Sequence, residues 1–149
     1  MTDKVGVALG KFMTGYNCAQ AVLFAHCQDL DLEPNAALKL ACGFGAGMGR
    51  KGEVCGAVTG GVMVIGADYG RGESDDRSAN EKTYAKTREL LERFQSRHGS
   101  YICRELLDGC DLMTEEGQRY FKQNSLINRC KECVRSVMQI LEEIEAPRT

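Results

Sequence analysis

The sequence has little net charge, only two histidines, few strand signals and no long apolar run, and each scarcity excludes a class of protein. The 19 basic and 21 acidic residues nearly cancel, which argues against nucleic acid or an anionic membrane surface as a partner. The longest apolar run, residues 54–67, spans 14 residues with four glycines, too few to cross a bilayer. The first six residues do not lead from a basic segment into an apolar one. We therefore expect no signal peptide, no membrane insertion and a cytoplasmic protein.

The two histidines, His26 and His98, both lie near predicted helix C-termini, where a capping or surface role is favoured over metal ligation. No histidine or aspartate is placed as a catalytic partner of a cysteine. The sequence therefore argues against a papain-like hydrolase.

Helix signals are frequent, and the one β-prone segment, residues 62–65, lies within a helix-compatible stretch. Start and stop signals predict helices over residues 3–13, 18–25, 34–42, 53–68, 75–97, 101–107 and 129–145, with a short element starting at Thr114. We predict one domain, residues 1–149, folded as an all-α multi-helix bundle with a glycine-rich loop, residues 43–52, before the central helix.

Two of these helices carry a predicted packing face. In the helix over residues 75–97, the buried side is predicted to hold Tyr84, Leu90, Leu91 and Phe94. In the central helix, small residues would let another backbone approach closely, which leaves a homodimer open; they are Gly56, Gly60 and Gly61.

The eight cysteines are not expected to form a structural disulfide framework in a reducing cytoplasm. Four of them fall in the first turn of a predicted helix: Cys18, Cys55, Cys103 and Cys130. Free N–H groups and the helix dipole stabilise an anion there, so a thiol ionises more easily. Cationic neighbours add to this effect, Arg104 at Cys103 and both Arg129 and Lys131 at Cys130.

The other four cysteines have different positions. Cys27 and Cys42 fall at predicted helix C-termini and are assigned to packing, because free cysteine is among the most buried residue types. Cys110 is predicted in a loop. Cys133 lies one turn inside the last helix and forms a Cys-x-x-Cys motif with Cys130, which suits either a redox dithiol or a pair of cluster ligands. There is no second such motif, so structural zinc is disfavoured.

The glycine-rich loop contains a Gly-x-Gly-x-x-Gly pattern, but a helix precedes it instead of a strand, which argues against a dinucleotide site. Two interpretations stay open. One is a tight turn that allows close helix packing. The other is an anion-binding collar formed by Gly47, Gly49, Arg50 and Gly52, with Lys51 beside them.

Four segments together resemble the C_GCAxxG_C_C family of bacterial and archaeal redox-active proteins: residues 15–22, 43–60, 99–106 and 130–134. The central Cys-Gly-Ala-x-x-Gly motif is matched at every fixed position from Cys55 to Gly60. The resemblance implies that the family's four characteristic cysteines correspond to Cys18, Cys55, Cys103 and Cys130, with Cys133 as the alternative for the last. It implies redox activity without naming a substrate.

Three functions follow as hypotheses. In the first, four helix N-termini converge, and Cys18, Cys55, Cys103 and Cys130 hold an iron–sulfur or other metal centre for electron transfer. In the second, no metal is bound and two thiols cycle through a disulfide, for example Cys18 with Cys55 or Cys103 with Cys130. In the third, the chain is a non-catalytic helical interaction module with buried cysteines. The sequence identifies no redox partner protein and leaves open whether the protein is an enzyme.

Overall fold

The computed structural model describes residues 3–145, so Met1, Thr2 and residues 146–149 lie outside it. Met1 and Thr2 belong to residues 1–6, the segment on which we expect no signal peptide, and lie outside the described residues. The chain folds into α1 (Lys4–Met13), α2 (Cys18–His26), α3 (Pro34–Ala41), α4 (Gly56–Tyr69), α5 (Ser78–His98), α6 (Cys103–Leu106), α7 (Glu115–Gln123) and α8 (Ile127–Glu145). The predicted all-α fold is confirmed, and none of the helices described is long and apolar enough to cross a membrane.

Capping residues explain where several helices begin. The side chain of Asn17 accepts a hydrogen bond from the Gln20 N–H at 3.0 Å, and the Gln20 side chain accepts one from the Asn17 N–H at 3.0 Å. This capping box starts α2. Pro34 occupies the first turn of α3, where its missing N–H costs nothing. Thr114 starts α7 by accepting a hydrogen bond from the Gly117 N–H at 2.9 Å.

Two helices begin two to three residues later than the sequence predicts, because their first residues form a β-bridge. Val54 and Ile102 pair in antiparallel orientation. The Cys55 N–H donates to the Tyr101 carbonyl at 2.8 Å, and the Cys103 N–H donates to the Glu53 carbonyl at 2.6 Å. These bonds hold the chain extended up to the first residues of α4 and α6.

The glycines of α4 let it lie at the centre of the fold, packed against α2, α5 and α8. A Cβ added at Gly60 would lie 2.9 Å from the Ala19 carbonyl oxygen, and one at Gly61 would lie 2.8 Å from Leu90 Cδ2. The chain's own helices therefore occupy the small-residue face. That face is not available to a second copy, so it gives no support for the possible homodimer, which stays a prediction.

Gly60→Ala tests this close packing of α4. We expect a loss of up to about 2 kcal/mol, because overpacking against a backbone costs about 1–3 kcal/mol and better helix propensity returns about 1 kcal/mol. Gly66→Ala is the matched control in the same helix, since a Cβ there meets nothing within 4 Å. It should be neutral or stabilising in urea unfolding, and equal effects of the two changes would contradict the packing described.

The buried face of α5 differs from the predicted one at Tyr84, which is 55% exposed, whereas Leu90 and Phe94 are fully buried. Lys86 is buried in place of the tyrosine. Its ammonium lies 5.2 Å from the centre of the Tyr69 ring, and its stem covers apolar surface. The cation–π contact explains how a charged residue is accommodated where the apolar pattern predicts an aromatic one.

Candidate functional site

The N-termini of α2 and α4 meet at Gly56. A Cβ added at Gly56 would lie 3.3 Å from the Cβ of Cys18 and 3.3 Å from the Ala19 nitrogen. Cys18 is the first residue of α2, and Cys55 immediately precedes α4. The glycine of the Cys-Gly-Ala-x-x-Gly motif therefore allows the first two cysteines to approach one another.

Cys103 is brought to the same place by the bridge between Val54 and Ile102 and by the glycine-rich loop. Beside the bridge, the Cys103 N–H donates to the carbonyl of Glu53, the residue before Val54. A Cβ added at Gly47 would lie 2.8 Å from the Cβ of Cys103, so the loop backbone packs directly against this cysteine. Residues 99–106 and 43–60, which carry the family resemblance, are thus in contact in the fold.

Five cysteines line one cavity of about 180 Å³: Cys18, Cys55, Cys103, Cys130 and Cys133. The last two lie three residues apart on one face of α8. The wall is otherwise mostly apolar and, among the described residues, has no charged side chain; its large apolar members are Phe12, Leu106, Leu107, Leu112, Phe121 and Ile127. Sequence reasoning did not find this apolar wall and gave Cys133 only as an alternative, although the Cys-x-x-Cys spacing indicated it.

The thiols interact in two pairs across this cavity. The thiol of Cys133 donates a hydrogen bond to Cys55. That bond lowers the pKa of Cys55 despite its burial, and the N–H groups of Ala57 and Val58 at the start of α4 add to the lowering. Cys55 is therefore the thiol of this pair that ionises more easily.

The other cavity thiols whose pKa is shifted are held in the neutral form. The hydrogen bond to Cys130, followed by burial, raises the pKa of Cys18. Burial, followed by the nearby cysteine sulfurs, raises the pKa of Cys103 to about 12. The hydrogen bond to Cys55, followed by burial, raises the pKa of Cys133. The expectation that each first-turn position favours a thiolate is therefore wrong for Cys18 and Cys103, because the hydrogen bond to Cys130 followed by burial at Cys18, and burial at Cys103, outweigh a helix dipole.

The cations expected to assist the thiolates face elsewhere. Arg104 forms an ion pair with Asp111 at 3.5 Å, and Arg129 pairs with Asp108. Neither arginine lines the cysteine cavity, and Lys131 does not line it either. Adjacency in sequence did not predict these positions, because consecutive residues of a helix point in different directions.

The remaining cysteines and both histidines lie outside the cavity. Cys27 is buried as predicted, and Cys110 is buried in its loop with its thiol donating to the Gly117 carbonyl at 3.1 Å. Cys42 is exposed, so its assignment to packing is wrong; Ala41 is the buried residue at that end of α3. His26 is buried and contacts the Val22 carbonyl at 3.0 Å, which excludes a surface role.

The glycine-rich loop adopts an unusual left-handed conformation. Residues 46–50 all have φ between 53° and 72°, including the non-glycine residues Ala46, Met48 and Arg50. Of the four predicted collar residues only Gly47 lines the cavity. The Gly49 and Gly52 N–H groups donate to carbonyls within the loop at 3.1 and 3.3 Å, and Arg50 is exposed. The anion-binding collar stays a prediction.

The donor chemistry of the cavity suits thiophilic metals, because soft thiolates are the ligands that iron–sulfur clusters and zinc prefer. Across residues 3–145, however, no three or more cysteine, histidine, aspartate or glutamate side chains form a group that could hold a metal ion. The hydrogen bonds between these thiols join Cys55 with Cys133 and Cys18 with Cys130. The predicted iron–sulfur or other metal centre at Cys18, Cys55, Cys103 and Cys130 therefore stays a prediction.

Removing the hydrogen-bond donor of Cys133 should raise the pKa of Cys55. In Cys133→Ala the Cys55 thiolate loses its largest stabilising contact, so less of it is ionised at pH 7 and its alkylation curve moves to higher pH. Cys133→Ser keeps a donor and should move the curve less. The rate of iodoacetamide labelling of the Cys55 peptide, followed from pH 6 to 10, measures both shifts. Identical curves for the two variants would contradict the contact.

No curated protein and no solved structure matches the chain. A family model described as "Putative redox-active protein (C_GCAxxG_C_C)" matches residues 16–144, a segment that includes all five cavity cysteines. The family predicted from the four sequence segments is thereby confirmed, and the chain belongs to the C_GCAxxG_C_C family of redox-active proteins.

Proposed function

We propose that the protein transfers electrons by thiol–disulfide exchange within one cysteine pair, formed by Cys55, whose pKa is lowered, and Cys133. The observation that carries this proposal is that both cysteines line one cavity, in which a hydrogen bond from Cys133 lowers the pKa of Cys55. A thiolate beside a thiol is the reactive arrangement of dithiol redox sites. The second contacting pair, Cys18 and Cys130, replaces the pairings of Cys18 with Cys55 and of Cys103 with Cys130 suggested by the sequence.

Oxidation of the Cys55–Cys133 pair to a disulfide releases two electrons and the protons of both thiols. The electrons pass to a disulfide substrate, which takes up two protons and is reduced to two thiols. Within the cysteine cavity the wall around the pair is mostly apolar and holds no charged side chain among the described residues. Cys103, with its pKa near 12, stays a neutral thiol at the edge of the cavity.

The alternative hypothesis is that the cavity holds a metal centre, and it is supported by the five cysteines that line the cavity. The four family cysteines would be its ligands, and it would supply one-electron transfer. The pairwise contacts favour exchange over this alternative. A reducing cytoplasmic location, in which the pair would start as dithiol, belongs to the proposal as well.

Anaerobic purification followed by titration in a glutathione redox buffer tests the proposal. Peptide mapping of the oxidised protein should show a link from Cys55 to Cys133, with Cys18 joined to Cys130 as the second link. Iron, acid-labile sulfide and visible absorbance bands retained through purification would contradict a metal-free mechanism. Oxidation confined to links between chains through the exposed Cys42 would contradict it too.

A further inference from the structure

A second, polar cavity meets the cysteine cavity at Cys133. This groove has a volume of about 520 Å³, within the range of small-molecule sites. Cys133 and Leu106 line both the groove and the cysteine cavity. Cys133 is only 4% exposed, so its sulfur lies at the boundary between two spaces and not on the open surface.

The groove differs from the cysteine cavity in carrying charges of both signs. Arg129 supplies a positive charge, and negative charges come from Glu105, Asp108 and Glu132. Burial, followed by the nearby Arg97, lowers the pKa of His98, so Arg129 is the cation of the groove at pH 7.

The charged groups of the groove can change partners at little cost. Arg129 pairs with Asp108, and their side chains are 48% and 58% exposed. Glu132 pairs with Arg135 at 3.4 Å, also near the surface. Exposed ion pairs contribute about 0–1 kcal/mol, so a ligand carboxylate can replace Asp108 at Arg129, and a ligand ammonium can replace Arg135 at Glu132.

We propose that the groove binds a small zwitterionic disulfide, of the amino-acid disulfide class, and presents its sulfurs to Cys133. This inference rests on the proposed function. The ligand's ammonium and carboxylate match Glu132 and Arg129, and its disulfide bond lies over the floor formed by Cys133 and Leu106. The partly buried Cys18 and Cys130 are not on this route, because neither lines the groove.

The exchange balances in two steps. Cys133 passes its proton to Cys55 and attacks one substrate sulfur, forming a mixed disulfide and expelling the first thiolate, which takes the proton from Cys55. The Cys55 thiolate then attacks the Cys133 sulfur, forming the Cys55–Cys133 disulfide and releasing the second thiolate, which is protonated by water. Two electrons pass from the cysteine pair to the substrate, which leaves as two thiols.

Comparing cystine with bis(2-hydroxyethyl) disulfide, which lacks both charges, tests the groove. Cystine should oxidise the reduced protein at least about tenfold faster, because paired polar groups discriminate strongly against ligands that leave them unmatched. Arg129→Gln and Glu132→Gln should each remove most of that preference. Arg119→Gln, on the exposed face of α7, is the matched control and should keep it. Equal rates for the two disulfides in the unmodified protein would overturn the inference.

A trapping experiment locates the point of attack. In Cys55→Ser the mixed disulfide cannot be resolved, so mass mapping after prolonged incubation with cystine should find the half-cystine adduct on Cys133. An adduct on Cys18 or Cys130 instead would show access through the cysteine cavity and overturn the groove as the route. If no oxidant forms the Cys55–Cys133 disulfide in the unmodified protein, the proposed function itself fails, and the two failures are distinguishable.

Discussion

Cys55→Ser is expected to abolish the Cys55–Cys133 disulfide and to slow the fastest alkylation of the reduced protein at pH 7 by about tenfold or more. An ordinary cysteine is only a few per cent thiolate at this pH, whereas the Cys133 thiol and two α4 N–H groups lower the pKa of Cys55 and so raise its thiolate fraction. The other shifted thiols of the cavity have raised pKa values, so they are not expected to supply a fast phase.

Cys42→Ser is the control for this change, because Cys42 is exposed and lies outside the cavity. It should leave both the disulfide and the fast alkylation phase intact. Iodoacetamide labelling with peptide mass analysis gives the rate at each cysteine. A fast phase that survives in Cys55→Ser but disappears in Cys42→Ser would assign the reactive thiolate to the surface and contradict the site.

Gly47→Ala is expected to destabilise the protein by about 2–5 kcal/mol. Its φ of +64° costs an alanine about 1–2 kcal/mol. The added Cβ would also lie 2.6 Å from the Glu53 nitrogen and 2.8 Å from the Gly52 carbonyl carbon, and overpacking costs about 1–3 kcal/mol more. Because both contacts are backbone atoms, they cannot move aside as a flexible side chain would.

Gly49→Ala distinguishes the cost of the backbone contact at Gly47 from the cost of the positive φ. Gly49 has nearly the same φ, +59°, but a Cβ there meets nothing within 4 Å. It should lose only the conformational part, about 1–2 kcal/mol. Urea unfolding compares the two, and labelling of Cys103 under native conditions should rise in Gly47→Ala alone, because Gly47 packs against that cysteine. Equal losses at both positions would contradict the packing of this loop.

Much of the secondary structure was predictable because its signals are local. Asn17 and Thr114 start helices where the sequence placed caps, and the apolar pattern identified Leu90 and Phe94 as core residues. The starts of α4 and α6 were not predictable, since the bridge between Val54 and Ile102 joins residues far apart in the chain. The exposure of Tyr84 and the burial of Lys86 were not predictable for a similar reason. The Tyr69 ring that contacts the Lys86 ammonium lies on another helix.

The sequence by itself determined that the chain is helical, that it belongs to a redox-active family and which cysteines open helices, because capping, periodicity and motif spacing are properties of short segments. Only the tertiary structure decided which sulfurs contact one another and which thiol ionises most easily. A thiol from α8 lowers the pKa of Cys55, whereas the hydrogen bond to Cys130 followed by burial raises the pKa of Cys18, and burial in the apolar wall raises that of Cys103. Ionisation depends on desolvation and on neighbouring groups, and both are fixed by packing between elements.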